Sequence, residues 1–210
     1  MKPTPAIRLK HADGKYSKPP SRTSVASLVL RLCIYRLRLF PVWPIVAVED
    51  IITSLQRDEG DEEIYALANA MSAATMAQLK LDSSSHPETA TGSSMEAECQ
   101  RARTLSKNGQ GATLNSLRIA FFLHVYHENQ EAGGSRSLLF LREAITLAQI
   151  MGLHRESAYA TLSTSEQEIR RRIIWLLFVT ERYLPLAPGY LFGTDLEKGS
   201  GNASQPSGCP

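Results

Sequence analysis

His124, His127, Glu128 and Glu131 fall at i, i+3, i+4 and i+7 of one predicted helix, a spacing that can gather imidazole and carboxylate ligands around a metal. The order His-x-x-His-Glu matches no zinc-protease signature, and no second ligand-bearing segment accompanies it. Polar residues on a solvated helix face account for the pattern without a metal. His154, in Gly152-Leu153-His154-Arg155, has the side chain of a general base, but it sits just past a predicted helix end. There a cationic residue serves free carbonyls, and a capping role is the preferred reading. Arg170, Arg171 and Arg172 beside Trp175 combine phosphate-binding groups with a stacking ring, the ingredients of nucleic-acid contact. Glu166, Glu168 and Glu181 on the same helix offer those guanidinium groups bidentate carboxylate partners instead, and Trp175 is read as core. No Gly-x-Ser-x-Gly elbow, Gly-rich phosphate loop or paired-carboxylate motif appears. The expectation is a non-enzyme with no catalytic, cofactor-binding or metal residues.

The bulk composition agrees with a binding or regulatory module. The chain has 210 residues, 43% hydrophobic and 21% charged, which suffices for one ordinary domain with a core. A net charge of +2 imposes no global field toward nucleic acid or membrane. Before Val48, however, Asp13 is the only acid against Lys2, Arg8, Lys10, Lys15, Lys18, Arg22, Arg31, Arg36 and Arg38. These charges are spaced apart, so a solvated tail is preferred to a nucleic-acid patch. Cys33, Cys99 and Cys209 are odd in number and scattered, which fits neither a disulfide framework nor a metal array. The apolar stretch 25–40 is interrupted by Arg31, Arg36 and Arg38, which opposes membrane insertion.

The elements that would position these residues are helices throughout. Pro3, Pro5, Pro19 and Pro20 mark 1–24 as a disordered basic leader, and 25–184 reads as the helical domain. Leu28, Leu32, Tyr35 and Leu39 have helical spacing, and Pro41 and Pro44 end that helix. Ile45, Val48, Ile52 and Leu55 form the next stripe. Asp61, Glu62 and Glu63 open a helix carrying Ile64, Leu67, Ala68, Met71, Thr75 and Leu79. Residues 82–94 read as a flexible loop, with a Ser93/Glu96 capping box opening a helix that stops at Asn108-Gly109. Leu114, Leu117, Phe121 and Val125 mark another helix, broken at Gly133-Gly134. Leu138, Leu141, Ile145 and Ala148 follow, ending at Gly152 in a left-handed cap with an apolar contact from Leu153. The last helix starts with Ser163/Glu166 or Ser165/Glu168 as its capping box, and its stretch 173–179 is apolar all round. Such a helix belongs at the centre of a bundle. The fold class is therefore all-α, an irregular bundle of about six to seven helices, with 185–210 a disordered Pro/Gly/Ser tail.

The segment 138–182 carries a specific resemblance. Gly152-Leu153-His154-Arg155, then Arg170-Arg171-Arg172 with Trp175, closing on Glu181-Arg182, resembles the middle homology region of fungal zinc-cluster transcription factors. Leu37-Arg38-Leu39-Phe40-Pro41-Val42-Trp43-Pro44 looks like the start of the same region, so the resemblance covers roughly 28–183. Within the family, the pattern is most similar to activators of starch and maltose utilisation. The resemblance implies transcription regulation in the nucleus, with the cytoplasm as the alternative location. Those residues are then a structural and regulatory motif. The family's zinc cluster uses six closely spaced cysteines, whereas only Cys33 precedes Cys99 here, and family-like texture is expected to stop at Arg182. Zinc is expected only with a missing upstream cluster. The chain then acts through a full-length transcription factor or the transcription machinery, without direct DNA binding or a membrane. A helical interaction scaffold or a nonfunctional truncated paralogue is the alternative. A shortened bundle would also leave 173–179 poorly covered and prone to self-association.

Overall fold

The computed structural model describes residues 22–57, 60–81, 90–106 and 111–183. Most of the expected leader, residues 82–89 of the expected loop, the break at Asn108-Gly109 and the tail 185–210 lie outside these residues. Seven helices follow in order: α1 (Val25–Arg38), α2 (Val48–Arg57), α3 (Glu62–Leu79), α4 (Gly92–Ser106), α5 (Leu114–Gln130), α6 (Ser135–Ile150) and α7 (Thr164–Tyr183). A 3-10 turn, Glu156–Tyr159, links the last two. No strand occurs among the described residues. The all-α class read from helical periodicity is the class observed.

The bundle is organised around α3, which packs against α1, α2, α4 and α5. Every residue from Tyr65 to Ala77 is buried. Its Ala66, Ala68, Ala70, Ser72, Ala73 and Ala74 are small enough for neighbouring backbones to close in on all sides. This corrects the expectation that 173–179 forms the bundle centre. The apolar-all-round criterion was right, but small residues satisfy it better than large ones in a crowded position. Asp61 caps α3 through its carboxylate, which accepts from the amides of Glu63 and Ile64 at 3.1 Å each.

Leu28, Leu32, Tyr35 and Leu39 all turn inward from α1 as their spacing predicts. Tyr35 and Phe122 meet edge-to-face at 5.6 Å, and Trp43 closes on Phe121 at 6.1 Å. A fully buried residue of this size contributes about 1.5–3 kcal/mol relative to exposure. The Tyr35 hydroxyl donates to the Trp43 carbonyl, which fixes the proline-bearing turn against α1. Burial pushes that phenol well above its ordinary range. After this turn Ile45 is buried outside any helix, and α2 starts only at Val48. Its inward residues are Val48, Ile51 and Leu55, so Ile51 takes the place expected for Ile52.

The start of α4 differs from expectation. Helix α4 begins at Gly92, where the Ser94 amide donates to the Thr91 hydroxyl at 3.2 Å, not at a Ser93/Glu96 box. Residues 90–94 belong to the fold here: Arg31 reaches from α1 to the Ala90 carbonyl at 2.9 Å. Helix α5 opens with a reciprocal Thr113/Ser116 capping box, with a 2.9 Å bond in each direction. At the N-terminal edge, packing begins before residue 25. Arg22 lies over the Tyr65 ring at 4.1 Å, and Thr23 is buried.

Candidate functional site

The motif residues 152–182 lie on α7 and on the connector that reaches it from α6. Gly152 has φ +68°, the left-handed cap its sequence context predicts. The Leu153 amide donates to the Ala148 carbonyl at 3.0 Å, and the Gly152 amide to Gln149 at 3.0 Å, the two bonds of a Schellman ending. Leu153 is buried beside Ala148, so the apolar contact of that ending is present as well. These backbone donors serve the helix end, and His154 does not. The exposed imidazole accepts from Arg155 at 3.1 Å and lines a cleft of about 160 Å³ between α6 and α7. The capping role expected for His154 is thereby corrected.

The connector holds itself in place. Tyr159 donates to the Leu153 carbonyl at 2.5 Å, and Gln167 donates to the carbonyls of Tyr159 and Leu162. Of the two candidate capping boxes for α7, Ser163/Glu166 forms, with the Glu166 amide donating to the Ser163 hydroxyl at 3.3 Å. Ser163 holds the Glu166 carboxyl below its usual range. The three arginines then diverge. Arg171 pairs with Glu156 at 3.1 Å and lies over the Tyr159 ring at 4.9 Å, fastening the connector to α7. Arg172 pairs with Glu168 at 2.9 Å along its own helix. Arg170 turns inward, half-buried, and its Nε finds no hydrogen-bond partner. Glu181 pairs with Arg142 of α6 at 2.7 Å and not with an α7 arginine, while Arg182 lies over the Phe178 ring. Of the ion pairs expected along the helix Arg172–Glu168 forms, whereas Arg171 pairs with Glu156, an acceptor that helical spacing alone does not reveal.

Helix α7 has two faces. Ile173 and Leu177 turn into the core, whereas Trp175, Phe178 and Val179 face outward. Trp175 is 67% exposed, which overturns its reading as core. It meets Phe178 edge-to-face at 5.9 Å. With Val42 and Pro44 of the proline-bearing turn, Trp175, Leu176 and Val179 line an open groove of about 550 Å³. Glu168, Arg171 and Arg172 form its rim. The reason for this exposure is positional: α7 packs mainly on α6, itself at the outside of the α3–α5 core. The groove can receive an apolar or aromatic side chain flanked by carboxylates, the arrangement of a protein-binding surface.

The polar row on α5 is not a solvated face. His124 and His127 are buried, which corrects that reading. The Ser137 hydroxyl donates to Glu128 at 2.5 Å and lies 2.9 Å from His124 Nδ1. With its single proton given to Glu128, that hydroxyl meets the histidine only as an acceptor, so Nδ1 carries hydrogen. His127 stacks on Phe140 at 5.3 Å and lies 3.4 Å from Glu96. Burial pushes both imidazoles below their ordinary value. These groups join α5 to α6 and α4. Among the described residues no group of three His, Cys, Asp or Glu is placed to hold a metal. No helix there is long and apolar enough to cross a membrane.

A buried polar cluster escaped the sequence reading. Glu98, almost fully buried, accepts from Tyr65 at 3.0 Å and from Arg101 at 2.9 Å. Burial acts to raise its carboxyl, but the bonds from Arg101 and Tyr65 prevail and leave it lowered. Only the pairing of α3 with α4 brings Tyr65 and Glu98 together, and no local spacing signals it.

The fungal specific transcription factor domain matches residues 32–196. The match therefore runs beyond Arg182, where family-like texture was expected to stop. A probable sucrose utilization protein of Candida albicans is 36% identical over 156 residues, 71% of this chain and 30% of that protein. A maltose fermentation regulatory protein of Saccharomyces cerevisiae is 30% identical over 154 residues, 72% of this chain and 32% of its own length. A respiratory transcription factor of the same yeast is 26% identical over 175 residues, 83% of this chain and 37% of its own. The chain thus spans about a third of the length of these relatives. No solved structure matches it. With the family's domain matching most of its length, this chain belongs to the fungal specific transcription factor domain family.

Proposed function

We propose that the chain regulates transcription of genes for disaccharide use in the nucleus, acting through a protein partner that docks on the outer face of α7. The observation that carries the partner role is the continuous apolar face of Trp175, Phe178 and Val179 beside Val42, rimmed by arginines that are themselves tied down. Large aromatics in a concave, charge-rimmed setting are typical anchors of protein interfaces. Support for the regulatory role comes from the family match and from relatives named for sucrose utilization and maltose fermentation. In this reading the partner is a full-length transcription factor of the same family, or the transcription machinery. Sequence-specific DNA contact and any zinc belong to that partner.

The test is a reporter driven by a full-length family member, with this chain co-expressed. Expression of the chain changes reporter output several-fold, and Trp175→Ser with Phe178→Ser removes the effect at equal protein level. Unchanged output on overexpression of the parent chain would sink the proposal.

A further inference from the structure

We infer that the cleft between the starts of α3 and α5 and the ends of α4 and α6 binds a small organic cation with an apolar body. This goes beyond the regulatory reading and does not depend on the α7 face. The cleft encloses about 270 Å³, near the lower end of small-ligand pockets. Its apolar lining includes Ala66, Ile119 and Leu147, and two charged side-chain groups flank it.

The first group is Glu63. Its carboxylate accepts from the Thr113 hydroxyl and, at 3.4 Å, from the Asn115 amide. No cationic side chain among the described residues pairs with it. The second is the ion pair of Arg103 with Glu143, in which the buried guanidinium also donates to Gln100 at 3.3 Å. Arg103 is thereby neutralised, and among the described residues the charge of the cleft left without a cationic partner is that of Glu63. The Ser116 hydroxyl, also at the lining, is spent on the α5 cap, donating to the Thr113 carbonyl at 2.8 Å and accepting its amide at 2.9 Å.

The cleft therefore offers apolar surface beside a carboxylate that no cationic side chain among the described residues neutralises. An anion would meet Glu63 and an Arg103 that already has its carboxylate. A neutral polyol would leave the Glu63 carboxylate without a counter-ion. An ammonium group satisfies Glu63 through charge-assisted hydrogen bonds while its carbon chain lies over Ala66, Ile119 and Leu147. At the mouth, Gly111 has open space where a side chain would stand.

The proposal is tested on the whole 210-residue chain by titrating n-butylammonium, n-butanol and sorbitol and following backbone amide NMR shifts. Butylammonium shifts amides around Glu63, Ser116 and Glu143 saturably, and butanol binds about tenfold more weakly. Glu63→Gln weakens butylammonium by a similar factor. Gly111→Leu, which fills the mouth and leaves every charge in place, does the same should Glu63→Gln disturb the fold. Equal affinity for butanol, or sorbitol binding in place of butylammonium, overturns the assignment. So does binding that appears only in Lys107→Ala, which would show that the chain supplies its own cation to Glu63.

Discussion

His124 and His127 enter the α5–α6 contact with burial pressing against their protonation. Their folded-state affinities for a proton lie below the ordinary imidazole value, near 6.5. The unfolded chain therefore binds more protons in mildly acid solution, and stability rises with pH there. The contribution is fully present above about pH 6.5 and is lost as pH falls from there toward the depressed folded values. Glu98, lowered below the usual carboxylate value, acts only at still more acid pH. The melting temperature is therefore lower at pH 5 than at pH 7, and His124→Asn flattens that slope while lowering stability at pH 7. A scan that is level between pH 7 and pH 5 would contradict the burial argument. Sequence spacing placed both histidines on one helix, but it could not say which face that helix buries. Ser137 lies 13 residues from His124 in sequence, and only the α5–α6 packing supplies it as a partner.

Helix ends were legible where the signal is local. Asp61, Gly152 and Ser163/Glu166 each act within one turn of their own sequence position, and all three stand where the residue types place them. The cap at Gly152 permits a direct check. A methyl group there meets only Ala158 at 3.9 Å, so space is available and the cost of Gly152→Ala is the left-handed backbone itself. That cost is about 1 kcal/mol. In urea denaturation the midpoint of Gly152→Ala falls with an unchanged slope, whereas Gly111→Ala, in open space and without positive φ, leaves the midpoint near that of the parent chain. Equal midpoints for the two variants would mean that the Gly152 conformation relaxes at no cost. The cap of α4 was misplaced because Thr91/Ser94 and Ser93/Glu96 both carry capping residue types a few positions apart. The choice falls to the packing of Ala90 under Arg31 and against the small apolar cluster that includes Met76 and Met95.

At the scale of the whole molecule, the apolar outer face of α7 has consequences for solution behaviour. Trp175, Phe178, Val179 and Val42 lie exposed on one side, a contiguous arrangement that favours association. The chain accordingly self-associates with rising concentration in sedimentation equilibrium, and Trp175→Ser with Phe178→Ser shifts it toward the monomer with little loss of stability. A parent chain that stays monodisperse and monomeric at high concentration argues against this. The sequence by itself determined the all-α class, the inward stripe of α1, the caps at Asp61, Gly152 and Ser163, and the family resemblance, because each rests on helical periodicity or on residues within a few positions of one another. Only the tertiary structure decided which apolar helix lies at the centre. Helix α3 takes that place because its small side chains let four neighbours approach, whereas the bulky 173–179 stretch packs on one side and leaves Trp175 to solvent. It also decided that Glu63 faces a cleft with its neighbouring arginine already paired, since that depends on four helix ends meeting and not on any spacing along the chain.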